Sequence, residues 1–175
     1  MHLHYTHAAL SVRAPPLHST TEMFMVGALD TVPAIRPVLC LHETVCAGAA
    51  DGFARMARRP ACTLLHLGPG LANATAALHN ARRARSPVVN LVGDMAAWHA
   101  DADAPLSMDV EELACAVSGF ARSTPSAATL ERDAADAAAA AAVPHGAHAS
   151  AVGAFEGTAS CRVASWPDAT TPRVF

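Results

Sequence analysis

Apolar and polar positions fall along this chain in short blocks whose period changes. Ser19-Thr20-Thr21-Glu22 precedes the apolar run MFMVGAL. Ser-x-x-Glu before an apolar run is a capping-box pattern, so a helix is predicted from there to about Asp30. Pro33 and Pro37 bracket a turn, and residues 38–41 form an apolar run of buried-strand length. Residues 43–57 have helical spacing, with Val45, Ala49 and Phe53 on one stripe, and Arg58-Arg59-Pro60 ends the helix. Residues 61–67 read as a strand, Gly68-Pro69-Gly70 as a sharp turn and residues 71–83 as a helix. Ser86-Pro87 breaks that helix, and residues 88–92 form a strand ending at Gly93-Asp94. Strand, helix, strand at this spacing is a βαβ unit and predicts a parallel sheet with helices on its faces. Val110, Leu113, Ala114 and Val117 mark a further helix, and residues 129–143 an alanine-rich one.

The pattern fades at both ends. Residues 1–18 have no clear period. Residues 144–175, after the alanine-rich helix, have many small residues and no sustained period, and read as a poorly patterned tail. Residues 19–143 are the predicted domain. The expected fold is α/β, a three-layer sandwich with a mostly parallel sheet that the pattern leaves incomplete at both ends.

Composition narrows the function classes. With 175 residues, 52% hydrophobic and 15% charged, the chain suits one globular domain. Much of the apolar content is alanine, which buries little area per residue. The net charge of −3 advertises no nucleic-acid face. The basic cluster Arg82, Arg83 and Arg85 lies where a helix should end, and cations there suit its dipole. No apolar run is long enough to span a bilayer, and the N-terminus makes a poor signal peptide. The cysteines (Cys40, Cys46, Cys62, Cys115 and Cys161) are odd in number and form no CxxC pair. They read as reduced thiols, hence a cytoplasmic protein. His42-Glu43 begins like a zinc-protease HExxH, but Cys46 stands at the fifth position and the motif fails. Asp101, Asp103 and Asp109 read as a solvated loop and not as a cation site, so no metal ligands are predicted.

Three segments read together carry a resemblance. The first is His42-Glu43 followed by AGAADGFAR, the second LLHLGPGLAN, the third NARRARSPVVNLVGD. In this order and at these intervals they resemble the pyrimidine-binding (Pyr) domain of thiamine-diphosphate enzymes of the acetolactate-synthase-like group. The resemblance implies that Glu43 hydrogen-bonds a ring nitrogen of the cofactor's aminopyrimidine and serves the decarboxylation of a 2-keto acid. It implies that Gly68, Pro69, Gly70 and Asn73 shape the turn bordering that ring, and that Ala47, Gly48, Ala50 and Phe53 lie at an interface between chains. Leu41, Val45 and the small-residue helix are the candidates to shelter Glu43 from water. Without the resemblance, Glu43 would read as a surface carboxylate in a first helical turn, the glycines as an ordinary turn, and the small residues as helix-on-sheet packing.

The same resemblance exposes two departures. The family holds the diphosphate through magnesium on another domain carrying a G-D-G motif, whereas Gly93-Asp94 here is followed by Met95. The cofactor is therefore expected to be met at its pyrimidine end only. A diphosphate-binding domain or subunit is the expected partner, in a homo- or heterodimer. The strand and Pro-Gly turn expected before Thr20, and the strand expected after the alanine-rich helix, are not evident in the pattern. The alternatives are a non-catalytic remnant or pairing module from a truncated or frame-shifted gene, and an unrelated α/β binding domain.

Overall fold

The computed structural model describes residues 8–11, 23–29, 31–32, 35–96, 101–124, 126–142 and 149–153. Six strands and five helices follow one another as β1 (Ala8–Ser11), α1 (Met23–Leu29), β2 (Pro37–Cys40), α2 (Glu43–Ala57), β3 (Ala61–Leu65), α3 (Leu67–Arg83), β4 (Val88–Gly93), α4 (Val110–Val117), β5 (Phe120–Thr124), α5 (Ala127–Ala142) and β6 (Ala149–Gly153). The strands form one sheet in the order β2-β1-β3-β4-β6-β5, and every pairing is parallel. No helix among the described residues is long and apolar enough to cross a membrane.

Alternation along the central strands divides the core. Val88 and Val92 point to one face, where α2, α3 and α4 bury Cys46, Ala50, Leu71, Leu78 and Ala114. Val89 lies on the other face with Ala137, Ala138 and Ala141 of α5. Two helical layers around a sheet make the predicted three-layer sandwich. Between Val88 and Val92, Asn90 is fully buried, and its Oδ1 accepts from Thr63 Oγ1 at 2.7 Å across the directly paired β3–β4 register. That bond satisfies two polar groups the core would otherwise penalise.

The ends differ from expectation. Ala8–Ser11, within the stretch read as irregular, pairs with both β2 and β3. Ala149–Gly153, within the stretch read as a tail, lies between β4 and β5. AALS and ASAVG are short and made mostly of small residues. Ladder bonds to two neighbours define such strands, and neither alternation nor bulk announces them. The sequence also marks no strand at Phe120–Thr124. β5 is an edge strand, and its Arg122 donates to Asp133 at 3.2 Å and to Asp136 at 2.6 Å on α5. The remainder of both end segments lies outside the described residues.

Cysteines at the described positions form no disulfide, with Cys40 and Cys46 buried and Cys115 exposed. Burial pushes the Cys62 thiol up to about 12, which keeps it protonated and unreactive at neutral pH.

Candidate functional site

In a parallel sheet, ligands gather outside the carboxyl ends of the strands, where neighbouring strands send the chain to opposite sides. Here β1 leads to β2 on one side and β3 leads to β4 on the other. Helices α2 and α3 begin beside that point.

Helix α2 opens sharply. His42 is extended (φ −154°, ψ 144°), and its Nδ1 accepts from the Thr44 N–H at 3.2 Å. Glu43 is the first helical residue, at the positive end of the helix dipole. Its side chain is only 6% exposed. The expected shelter is wrong in detail: Leu41 is 90% exposed and Val45 is 58% exposed. Glu43 is covered from the other side, by α3. A Cβ placed on Gly70 would stand 3.8 Å from Glu43 Cγ. Asn73 Nδ2 donates to Glu43 Oε2 at 3.1 Å. In return, Thr44 Oγ1 donates to the Asn73 carbonyl at 2.7 Å.

The Gly-Pro-Gly segment is not a free turn. The chain turns at His66–Leu67, with Leu67 at φ 53°, and Gly68, Pro69 and Gly70 already belong to the first turn of α3. Proline is tolerated there because N–H groups of a first turn have no intrahelical acceptor. The first helical bond runs from the Gly70 N–H to the His66 carbonyl at 2.9 Å. Neither glycine has positive φ, so their value is closeness. A Cβ on Gly68 would meet Met108 Cβ at 2.5 Å and its sulfur at 2.7 Å. The Met108 side chain, from the segment before α4, therefore lies directly on the Gly68 backbone.

Asp94 follows β4 at the same end of the sheet. Its carboxyl is half-buried, and its Oδ1 accepts from the Met95 N–H at 2.7 Å. Burial above all holds its pKa above the ordinary carboxylate value, and the charge of Asp109 adds to this. Asp109 itself caps α4, accepting from the Glu112 N–H at 2.8 Å. Asp-x-x-Glu before an apolar run was the available signal for that cap. Asp101 and Asp103 are exposed. Among the described residues, no three His, Cys, Asp or Glu side chains converge as a metal site.

The four residues expected at an interface separate. Ala47 and Ala50 are fully buried in this chain's own core, on the face that meets α3 and the sheet. Phe53 is half-buried against that core, with the Arg59 guanidinium 5.2 Å from its ring centroid. Gly48 alone is exposed, with open space around it. The outward face carries Val45, Ala49, Gly52 and Met56, so the stripe of Val45 and Ala49 looks away from the core.

The Asp51 and Arg55 of the ADGFAR segment lie far from Glu43, eight and twelve residues on, or ~12 and ~18 Å along the helix. Arg55 pairs with Asp51 at 2.5 Å, and Ser86 Oγ, just before β4, donates to the same carboxylate. At the end of α3, Arg82 donates to the Ala116 carbonyl at 2.7 Å, which ties α3 to the last turn of α4. Arg82, of the basic cluster, thus has a structural part.

A buried carboxyl, an asparagine bonded to it and two close-packed glycines meet at the carboxyl end of the sheet. Residues 17–113 match the family described as thiamine pyrophosphate enzyme, N-terminal TPP binding domain. The chain is 56% identical over 115 residues to a protein assigned as the acetolactate synthase large subunit IlvX of Mycobacterium tuberculosis, covering 66% of this chain and 22% of that one. It is 36% identical over 83 residues to benzoylformate decarboxylase of Pseudomonas aeruginosa, covering 43% of this chain and 16% of that one. The fold superposes on thiamine diphosphate-dependent 4-hydroxybenzoylformate decarboxylase of Rhodococcus jostii with a TM-score of 0.76 and 21% identity, covering 86% of this chain and 27% of that one. The match thus spans only about a quarter or less of each relative's length. The chain belongs to the thiamine pyrophosphate enzyme family, as an N-terminal TPP-binding domain of the acetolactate synthase and benzoylformate decarboxylase kind.

Proposed function

We propose that this chain holds the aminopyrimidine end of thiamine diphosphate, and that a partner domain or subunit holds the diphosphate and its magnesium. The observation that carries the reading is the Glu43 carboxyl, buried at a helix start and held by Asn73. Its Oε2 accepts from Asn73, which leaves Oε1 to meet a ring nitrogen and to hold or move a proton there. Gly70 lets the start of α3 pack close against the Glu43 side chain, and Gly68 leaves room for Met108 on the α3 backbone. When bound, thiamine diphosphate supplies the carbon chemistry for decarboxylating or joining 2-keto acids, and the protein supplies orientation and proton control.

The partner would dock on the outward face of α2, where Val45, Gly48, Gly52 and Met56 are exposed at successive turns and Leu41 is exposed just before the helix. This revises the expected interface: Gly48 stays in it, while Ala47 and Ala50 support it from beneath. The assembly is a homo- or heterodimer. The absence of a disulfide among the described residues fits the reducing cytoplasm.

The test is to mix the full chain with the diphosphate-binding portion of the IlvX relative, thiamine diphosphate and magnesium, and to assay pyruvate decarboxylation. The expected result is activity that needs both proteins and is lost with Glu43→Gln. Cofactor uptake that is indifferent to this chain, or to Glu43, would sink the reading.

A further inference from the structure

We infer that Thr44 is the positioning residue that sets the Glu43 carboxyl, acting through Asn73; the inference rests on the aminopyrimidine reading of the site. Two neighbouring residues of α2 grip one residue of α3 by hydrogen bonds of opposite sense. Thr44 Oγ1 donates to the Asn73 main-chain carbonyl at 2.7 Å, and Asn73 Nδ2 donates to Glu43 Oε2 at 3.1 Å. The closed ring holds the Asn73 main chain against the start of α2, which keeps its carboxamide within reach of Glu43 Oε2.

Asn73 needs this anchor. It is exposed, on the second turn of α3, and an exposed carboxamide has little packing to choose its rotamer. Glu43, by contrast, is buried and loses most if its partner swings away, because an unpaired buried acceptor is penalised. The Thr44 hydroxyl is the group that joins the two facts. The Thr44 N–H serves a different purpose, donating to His42 Nδ1 and closing the helix start. The main chain of Thr44 therefore builds the helix, and its hydroxyl locates the ligand-facing oxygen. The required property is a hydroxyl on this side chain. Serine can supply it, and valine, of the same shape, cannot.

The experiment uses the uniformly 15N-labelled full chain and the variants Thr44→Val, Thr44→Ala and Thr44→Ser. The first readout is the side-chain NH2 pair of Asn73, assigned with Asn73→Ser. The second is titration with 4-amino-5-hydroxymethyl-2-methylpyrimidine as the probe. Thr44 is exposed, so backbone spectra and melting should change little. The expected result is that Thr44→Val and Thr44→Ala move the Asn73 pair toward free-amide positions and weaken probe binding by about three- to ten-fold, the worth of one hydrogen bond. Thr44→Ser should restore both. An Asn73 pair that is unmoved in both Thr44→Val and Thr44→Ala overturns the inference. If the unaltered chain takes up no probe, the aminopyrimidine reading fails, while the Asn73 signal still decides whether Thr44 sets the carboxyl.

Discussion

Glu43 and Asp51 are acidic residues of the same helix, both within the segment that carries the family resemblance, and their surroundings differ in kind. Glu43 faces the carboxyl ends of the strands, is nearly inaccessible, and has a single neutral donor, Asn73, on its Oε2. Asp51 faces the opposite end of the sheet and is matched by a guanidinium and a hydroxyl, Arg55 and Ser86. A carboxylate held by one neutral donor keeps an oxygen and a proton position for a ligand. A carboxylate saturated by charge and hydroxyl is a tie between elements. On the proposed function, one contiguous motif divides into a chemical end and an architectural end, and nearness in sequence does not imply a shared role.

The largest expected effect follows from the chemical end. Glu43→Gln should lower 2-keto acid turnover of the assembled two-protein enzyme by about 10²–10⁴-fold, the range for removing a positioned proton-transfer group. The urea midpoint of the chain should stay where it is, since glutamine keeps the acceptor for Asn73. Full turnover by this variant would erase the distinction between the two carboxylates.

Ser86→Ala tests the architectural end. It removes a fully buried hydroxyl from Asp51, and should cost about 1–3 kcal/mol in denaturant unfolding. Affinity for the aminopyrimidine should not move, because Ser86 precedes β4, at the amino end of the sheet. A loss of ligand affinity without a loss of stability would show the two ends to be coupled.

Glycines sharpen the same contrast. Gly48 has open space around it and sits in the middle of α2, so Gly48→Ala should stabilise the chain by about 0.5–1 kcal/mol. Gly68→Ala must displace Met108 and should destabilise by about 1–3 kcal/mol, as overpacking does. Adding Met108→Ala should recover most of that loss. Equal effects at the two glycines, read from melting midpoints, would contradict the close approach at Gly68.

What could be read in the sequence tracks how each feature is encoded. Helix α2 was legible to the residue because two signals coincide: a helical period over residues 43–57 and Arg58-Arg59-Pro60 beyond its end. The βαβ unit was legible because β4 is a solid apolar strand bounded by Ser86-Pro87 and Gly93-Asp94. β1 and β6 were not, because pairing on both sides is a property of the sheet and not of AALS or ASAVG. Glu43, Gly68, Pro69, Gly70 and Asn73 were named through a motif, and the structure brings Gly70 and Asn73 against Glu43. Thr44 and Met108 were not found. A threonine hydroxyl at a helix start and a methionine in a loop acquire roles only when α3 is placed against them. The inward face of α2 was misjudged because alanine signals burial weakly: Ala47, Ala50 and Ala54 face in, while bulkier Val45 and Met56 face out.

The smallest effect separates two further carboxylates by the sign of their pH dependence. Asp94 has its pKa raised above the ordinary 3.8, chiefly by burial. The folded state then binds the proton more tightly than the unfolded state, so this group's contribution is full below the ordinary value and is lost as pH rises through the raised one. Asp133 is the opposite case. Burial raises its pKa, but hydrogen bonds from Arg122 and Arg132 outweigh that and leave it lowered. Its contribution is present above the ordinary value and is lost as pH falls through the lowered one. Asp94→Asn keeps an acceptor for the Met95 N–H and removes the titration. It should match the unaltered chain in acid and exceed it in stability at neutral pH. Asp133→Asn should do the reverse, lowering stability at neutral pH and closing the gap in acid. Urea midpoints of the three proteins between pH 3 and 7 decide the matter. An Asp94→Asn chain that gains nothing at neutral pH would mean that the Asp94 carboxyl is open to water, and that β4 ends outside the sheltered crevice where Glu43 lies.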